Sequence, residues 1–140
     1  MPEAVAQIVR RVADLMWIDR DLDAAMELVD PEAVFDWSDS RAPYGGVFRG
    51  RDAIRDAAEA LWDAWDEWDP EFREVIDIDP DTVLIMTFVR ARGKGSGIPV
   101  EAHGASLWSV RDGKVIHAKL FQSKADAIDA IRLQQASDLG

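Results

Sequence analysis

The sequence contains no cysteine, which excludes disulfide bonds, thiolate metal sites and cysteine nucleophiles. It also lacks long apolar runs: the longest covers 83–89, includes a threonine, and is far too short to cross a membrane. The first residues show no basic segment followed by an apolar stretch, so no secretory signal is predicted. We therefore expect a cytoplasmic protein.

Basic residues are few, because 16 Lys and Arg stand against 27 Asp and Glu and give a net charge of −11. Such a chain repels phosphate backbones and anionic lipid surfaces, which argues against nucleic acid and membranes as partners. Histidine is also scarce, with two residues that lack the spacing of metal ligands, so no metal site is predicted. The 140 residues suffice for a single domain over 1–140 with its own core.

The spacing of apolar residues predicts helices in the first half of the chain and strands in the second. Asp21 is expected to cap the second helix. The predicted helices cover 4–18, 22–29, 51–68 and 124–135, and the predicted strands cover 33–37, 71–79, 82–92, 98–111 and 114–122. The last four strands are consecutive and antiparallel, so the order predicts an α+β fold with one curved sheet around the helices.

The predicted strand over 82–92 is apolar on both of its alternating faces. In this arrangement helices are expected to cover one face of the sheet only. A second copy of the chain would then cover the outer face, and the pattern predicts a homodimer.

Several segments together resemble the SnoaL-like and ketosteroid-isomerase-like proteins of the nuclear transport factor 2 superfamily. In chain order these segments are DRDLDAAMELV, AVFDW, PYGGVFRGRDAI, RARGKGSG and LWSVRDGKV. The resemblance extends over nearly the whole chain. It implies a cone in which a strongly bent antiparallel sheet wraps around N-terminal helices and one long central helix, enclosing a deep, mostly apolar cavity. Members include isomerases, polyketide cyclases, dehydratases, epoxide hydrolases and non-catalytic binders.

The resemblance also implies candidate catalytic residues. In the steroid isomerases an aspartate general base follows the first strand, and Asp36 falls at that place. The places of the two oxyanion-hole residues fall at about Ala13 and Ser106, of which only Ser106 can donate a hydrogen bond. Asp36 has apolar neighbours, whose burial of the carboxylate would raise its pKa. The alternative is that Asp36 faces solvent or caps the following turn.

Alternation along the strand over 98–111 separates its side chains into two faces. Gly104, Ser106 and Trp108 share the face that we assign to the cavity, although close helix packing on small residues explains the same pattern. His103 falls on the opposite face beside Glu101, unless a one-residue bulge reverses the order.

Six tryptophans, against five phenylalanines and one tyrosine, are unusual for a small domain. They are suited to core packing or to a cavity for a flat aromatic or polycyclic molecule. The candidate ligand-binding residues are Trp17, Trp37, Trp62, Trp65, Phe88, Arg90, His103, Trp108 and Phe121, and the candidate catalytic residues are Asp36, Ser106 and Tyr44.

Two functions remain open from the sequence. The first is a cofactor-independent cyclase, isomerase or dehydratase in which Asp36 moves a proton beside a carbonyl, while Ser106 or Tyr44 stabilises the oxyanion. The second is a non-catalytic domain that binds a hydrophobic ligand or serves as a dimeric accessory protein. The enzyme requires Asp36 to lie inside a cavity beside a hydrogen-bond donor, and the non-catalytic domain does not.

Overall fold

The structure, a computed structural model, describes residues 4–39 and 45–139. The helices are α1 (Val5–Trp17), α2 (Leu22–Glu27), α3 (Arg51–Asp63) and α4 (Lys124–Leu139). The strands are β1 (Val29–Asp36), β2 (Val47–Arg49), β3 (Trp65–Asp79), β4 (Thr82–Gly93), β5 (Pro99–Arg111) and β6 (Lys114–Phe121). None of the helices in these ranges has the length and apolarity needed to cross a bilayer.

All six strands belong to one sheet, in the order β2-β1-β6-β5-β4-β3. The four strands from β3 to β6 form the predicted antiparallel series. β1 joins this series by parallel pairing with β6, and β2 pairs antiparallel with β1. Because β2 and β3 do not pair with each other, the curled sheet stays open. The predicted α+β class with a bent sheet is confirmed.

Several element boundaries differ from the prediction, among them the end of α4, which lies at Leu139 instead of residue 135. The long helix α3 ends at Asp63 instead of continuing to Trp68, and β3 begins at Trp65. Pairing between strands explains the change, because β3 pairs with β4 as far as Trp65 and Gly93. Hydrogen bonds between the two strands therefore replace the helical hydrogen bonds that the prediction assumed for residues 65–68. β1 begins at Val29 rather than at residue 33, and the short strand β2 was not predicted.

The inner face of the sheet, which we define as the face packed against α1, α2 and α3, forms the main core. Val9 of α1 and Ile54 of α3 are fully buried against it. The sheet contributes Phe35, Ile85 and Trp108, each at most 4% exposed. The predicted Asp21 cap is also present, since its carboxylate accepts a hydrogen bond from the Ala24 backbone N–H at 3.2 Å.

The opposite, outer face of the sheet carries a second apolar cluster. Leu84, Ala105 and Phe121 lie on this face and are covered by Ala127 and Ile131 of α4. A helix of the same chain therefore covers part of the outer face, which corrects the expectation that helices cover one face only. The apolar pattern of β4 no longer requires a second subunit, and the homodimer stays a prediction.

Substitution at Ala127 tests the contact between α4 and the sheet. Ala127 is fully buried, so Ala127→Asp would place a charge in an apolar contact and is expected to lower the free energy of unfolding by about 2 kcal/mol or more. Ala125→Asp is the matched control, because Ala125 is exposed on the same helix. Equal urea midpoints for the two variants would contradict this packing.

Candidate functional site

The alternation of β1 separates its aromatic side chains from its acid. Phe35 pairs with Ala118 of β6, and both belong to the main core on the inner face. Asp36 pairs with Lys119 in the parallel register, so its side chain lies on the outer face. Trp37 follows the strand and returns to the core with 7% exposure. The candidate base and the aromatic interior therefore lie on opposite sides of the sheet.

Asp36 is held by polar groups of its own face. Its Oδ1 atom accepts hydrogen bonds from the Ser38 backbone N–H at 3.0 Å and from the Ser38 hydroxyl at 2.6 Å. Its Oδ2 atom accepts a hydrogen bond from Lys119 Nζ at 3.2 Å, and Asp39 lies 3.9 Å from the same ammonium. This is the turn-capping arrangement that the sequence left open as the alternative.

These contacts decide the protonation of Asp36. Partial burial alone raises the pKa of Asp36, but the hydrogen bonds from Ser38 and the charge of Lys119 outweigh burial and lower the pKa to about 2. The sequence predicted a raised pKa, and the direction is the opposite. A carboxylate with such a low pKa is a poor general base near neutral pH. Burial lowers the pKa of the nearby His117, despite the charge of Asp36.

No acid among the described residues is buried in the interior, so none takes over this role. Within 4–39 and 45–139, no polar or charged residue falls in the buried class. The same residues include no group of three or more His, Asp or Glu side chains placed to hold a metal ion. The chemistry available on the inner face is therefore that of aromatic rings, indole N–H groups and hydroxyls.

Four aromatic side chains form a continuous cluster at one end of the interior. Trp17 ends α1, Trp37 follows β1, and Trp62 lies in the last turn of α3. Ring centroids lie 6.5 Å apart for Trp62 and Trp17, 5.6 Å for Trp17 and Trp37, and 5.3 Å for Trp37 and Phe48. These are tilted or edge-to-face contacts, the arrangements that aromatic pairs prefer. We call these four residues the aromatic cluster.

Two indole groups at the edge of the core have no hydrogen-bond partner. The Nε1 atoms of Trp62 and Trp68 are buried, and no acceptor for either exists among the described residues. Trp68 lies on β3, with its ring 5.8 Å from that of Trp65. Both Trp65 and Trp68 pack against the main core. Buried donors are nearly always paired, so two unpaired ones mark a place where an acceptor is missing.

Ser106 and Trp108 lie on the inner face of β5, as predicted. The Trp108 indole donates a hydrogen bond to Ser106 Oγ at 2.7 Å, and the Trp108 ring contacts Phe35 edge-to-face at 5.6 Å. Trp108 therefore has its own internal acceptor, unlike Trp62. The Ser106 hydroxyl accepts this bond and keeps its own proton for donation.

The remaining predicted residues lie elsewhere. The rings of Phe88 and His103 make a tilted contact on the outer face, with centroids 4.9 Å apart, and the guanidinium of Arg73 lies 4.2 Å from the Phe88 ring centre. Arg90 extends from the same face and is exposed, and Phe121 belongs to the cluster under α4. None of these four predicted residues reaches the interior. Tyr44 lies outside the described residues.

The sequence did not predict Phe48 as a member of the interior, and it predicted Trp68 as a buried residue of a helix instead of a strand. Phe48 lies on β2, a strand too short to show a pattern. Trp68 was assigned to the apolar face of the long helix, because it continues the helical spacing of Ile54, Ala58, Leu61 and Trp65. The change from helix to strand between 63 and 65 gives no comparable signal.

Two open grooves lie on the surface, and tryptophan lines neither of them. One of about 520 Å³ runs along α1 beside Val75, with Arg10 and Asp14 in its lining. The other, of about 500 Å³, lies between α4 and Gln122 at the end of β6. Neither groove joins the predicted site residues of the inner face.

The open six-stranded sheet, curled around three helices, is the NTF2-like cone fold. The SnoaL-like domain model matches residues 9–118, and the chain belongs to this family, which confirms the resemblance seen in the sequence. No curated protein matches the chain.

Several solved structures share the fold. An NTF2-like protein from Burkholderia thailandensis is 23% identical, with 92% of this chain and 98% of that chain covered and a TM-score of 0.78. A protein assigned as a SnoaL-like polyketide cyclase from Jannaschia sp. is 19% identical, with 93% and 92% covered and a TM-score of 0.74. TerC, co-crystallized with polyporic acid, is 15% identical, with 93% and 99% covered and a TM-score of 0.73.

The acid dependence of stability tests the position of Asp36. A carboxylate whose pKa is about 2 in the folded chain and near its ordinary value of about 4 when unfolded stabilises the fold above about pH 4. That stabilisation is lost as the pH falls towards 2. We expect Asp36→Asn to lower the free energy of unfolding at pH 7 by about 1 kcal/mol, a figure reduced for solvent screening. The difference from wild type should shrink below about pH 4 and vanish below about pH 2.

Urea unfolding at a series of pH values measures this difference. Asp39→Asn is the matched control, because Asp39 is exposed and lies farther from Lys119, so its effect should be smaller. Identical acid dependence in wild type and Asp36→Asn would contradict the assignment.

Proposed function

We propose that this SnoaL-like protein binds a flat aromatic or polycyclic molecule with hydrogen-bond acceptor oxygens at the aromatic cluster and the neighbouring indole donors. The observation that carries the proposal is the pair of buried, unpartnered indole donors of Trp62 and Trp68. Binding, rather than proton transfer by Asp36, is the function that this arrangement supports best.

The energetics favour a ligand with acceptor atoms. A buried donor without a partner costs about 1–3 kcal/mol relative to a paired one. A carbonyl or carboxylate oxygen that reaches the Trp62 or Trp68 Nε1 atom would recover part of this cost on binding. A purely aliphatic ligand would recover none of it, since it offers no acceptor.

The aromatic cluster favours a flat ligand. Trp17 and Trp62 are partly exposed while Trp37 is buried, so the cluster runs from the surface into the core. Indole rings bind aromatic faces by offset stacking and edge contacts. That TerC was co-crystallized with polyporic acid supports an organic acid as a ligand type for this fold.

The catalytic alternative is a cofactor-independent cyclase, isomerase or dehydratase that acts on an apolar carbonyl compound. Two observations favour it: a neighbour assigned as a polyketide cyclase, and the Ser106 hydroxyl, which can donate a hydrogen bond on the inner face. In that case Ser106 would stabilise an oxyanion, and the proton would have to move without Asp36. Turnover of such a compound that persists in Asp36→Asn and is lost in Ser106→Ala would favour this alternative and oppose binding alone.

Titration with 2-(hydroxymethyl)anthraquinone, a neutral flat compound with two carbonyl groups, tests the proposal. We expect it to quench tryptophan fluorescence with saturation. Trp62→Phe and Trp68→Phe should each weaken binding about 5- to 10-fold, because each removes a donor worth about 1 kcal/mol while keeping an aromatic ring.

Trp108→Phe is the matched control, since it makes the same ring change where the indole already has an internal acceptor at 2.7 Å. It is expected to lower the melting temperature but to change the affinity less than about 2-fold. Absence of quenching in wild type, or wild-type affinity in both donor variants, would contradict the proposal.

A further inference from the structure

Arg20 has an unusual backbone conformation between α1 and α2. Its φ is +55°, and the other non-glycine residue of the described chain with positive φ is Asp112, in the hairpin turn before Gly113. The left-handed region is the one that glycine occupies most readily, because a Cβ atom is disfavoured there. Arg20 therefore adopts a backbone conformation that its own Cβ atom disfavours.

The turn at Arg20 has a structural role that a glycine at this position would also fill. It lets the Asp21 backbone N–H donate to the Leu15 carbonyl at 2.8 Å, which satisfies an open acceptor at the end of α1. The Asp21 side chain then caps α2. This backbone hydrogen bond depends on the conformation at position 20 and does not involve the Arg20 guanidinium group.

The guanidinium instead lies against the aromatic cluster. The Arg20 Cζ atom is 5.5 Å from the centre of the Trp62 ring, whose indole donor is one of the two without an acceptor. Although Asp19 and Asp21 flank it in sequence, Arg20 forms no ion pair with any residue of the described chain. Its side chain is exposed, so its donors remain available.

We propose that Arg20 is a specificity-determining residue that selects aromatic ligands carrying a carboxylate or another planar oxyanion. This inference rests on the proposed function and adds the charge of the ligand to it. The guanidinium fork matches a carboxylate with two parallel hydrogen bonds. In a chain of net charge −11, an anionic ligand needs such a local cation, because the rest of the surface repels it.

Arg20→Gly gives a sharp test, because glycine suits the backbone at this position. We expect the melting temperature of this variant to stay equal to or rise above that of wild type. Its affinity for anthraquinone-2-carboxylate should fall about 10-fold, whereas its affinity for the neutral 2-(hydroxymethyl)anthraquinone should change less than about 2-fold. Fluorescence titration of both probes measures these values.

Arg10→Ala is the matched control for net charge. Arg10 also lies over an aromatic ring, at 5.3 Å from the centre of Phe72, but it is paired with Asp14 at 3.2 Å. The Arg10→Ala variant should bind both probes with the affinity of wild type.

The affinities of Arg20→Gly and wild type for the two probes distinguish failure of the inference from failure of the proposed function. If Arg20→Gly weakens both probes equally, or neither, Arg20 serves only to pack Trp62, and the inference is overturned while the binding function stands. If neither probe binds to wild type, the proposed function itself fails. Selective loss of the carboxylate probe supports the inference.

Discussion

The register between β1 and β6 determines which side chains reach the interior. Successive residues of a strand point to opposite faces, so pairing Phe35 with Ala118 places Asp36 beside Lys119 on the other face. A shift by one residue would exchange the acid and the aromatic ring. Burial of Phe35 in the main core disfavours that shift, because it would expose a large aromatic side chain.

This register gives the two faces of the sheet different chemistry. Polar groups on the outer face hold Asp36 as a low-pKa carboxylate, while the interior is lined by rings and indole donors. Catalysis by proton transfer needs a group that changes protonation next to the substrate. Recognition needs only shape and complementary donors, and the unpartnered indoles of Trp62 and Trp68 supply donors. The structure therefore supports recognition more directly than catalysis.

Features governed by local or alternating patterns could be predicted from the sequence. The cap at Asp21, the four antiparallel strands and the inner-face position of Ser106 and Trp108 all follow from such patterns. Alternation also placed His103 on the opposite face, where its ring makes a tilted contact with Phe88. The resemblance to the SnoaL-like family was carried by segments spread along the chain, and the family model confirms it.

Features that depend on tertiary pairing could not be predicted in this way. The apolar neighbours of Asp36 indicated a buried acid, but alternation within that short strand puts those neighbours on the face opposite to it. Trp65 and Trp68 fit a helical stripe, and only the extended pairing with β4 makes that segment a strand. The left-handed backbone of Arg20 leaves no mark in the sequence, because arginine is not a residue that signals such a turn.

If the unpartnered indoles of Trp62 and Trp68 receive a ligand, their N–H protons change their chemical shifts on binding. A 1H–15N NMR titration with 2-(hydroxymethyl)anthraquinone resolves the indole signals of the six tryptophans. We expect the Trp62 and Trp68 indole protons to move downfield as they gain an acceptor, and the Trp108 proton, already bonded to Ser106, to move least. Saturable binding that leaves the Trp62 and Trp68 indole protons unmoved would show that these indoles do not receive the ligand.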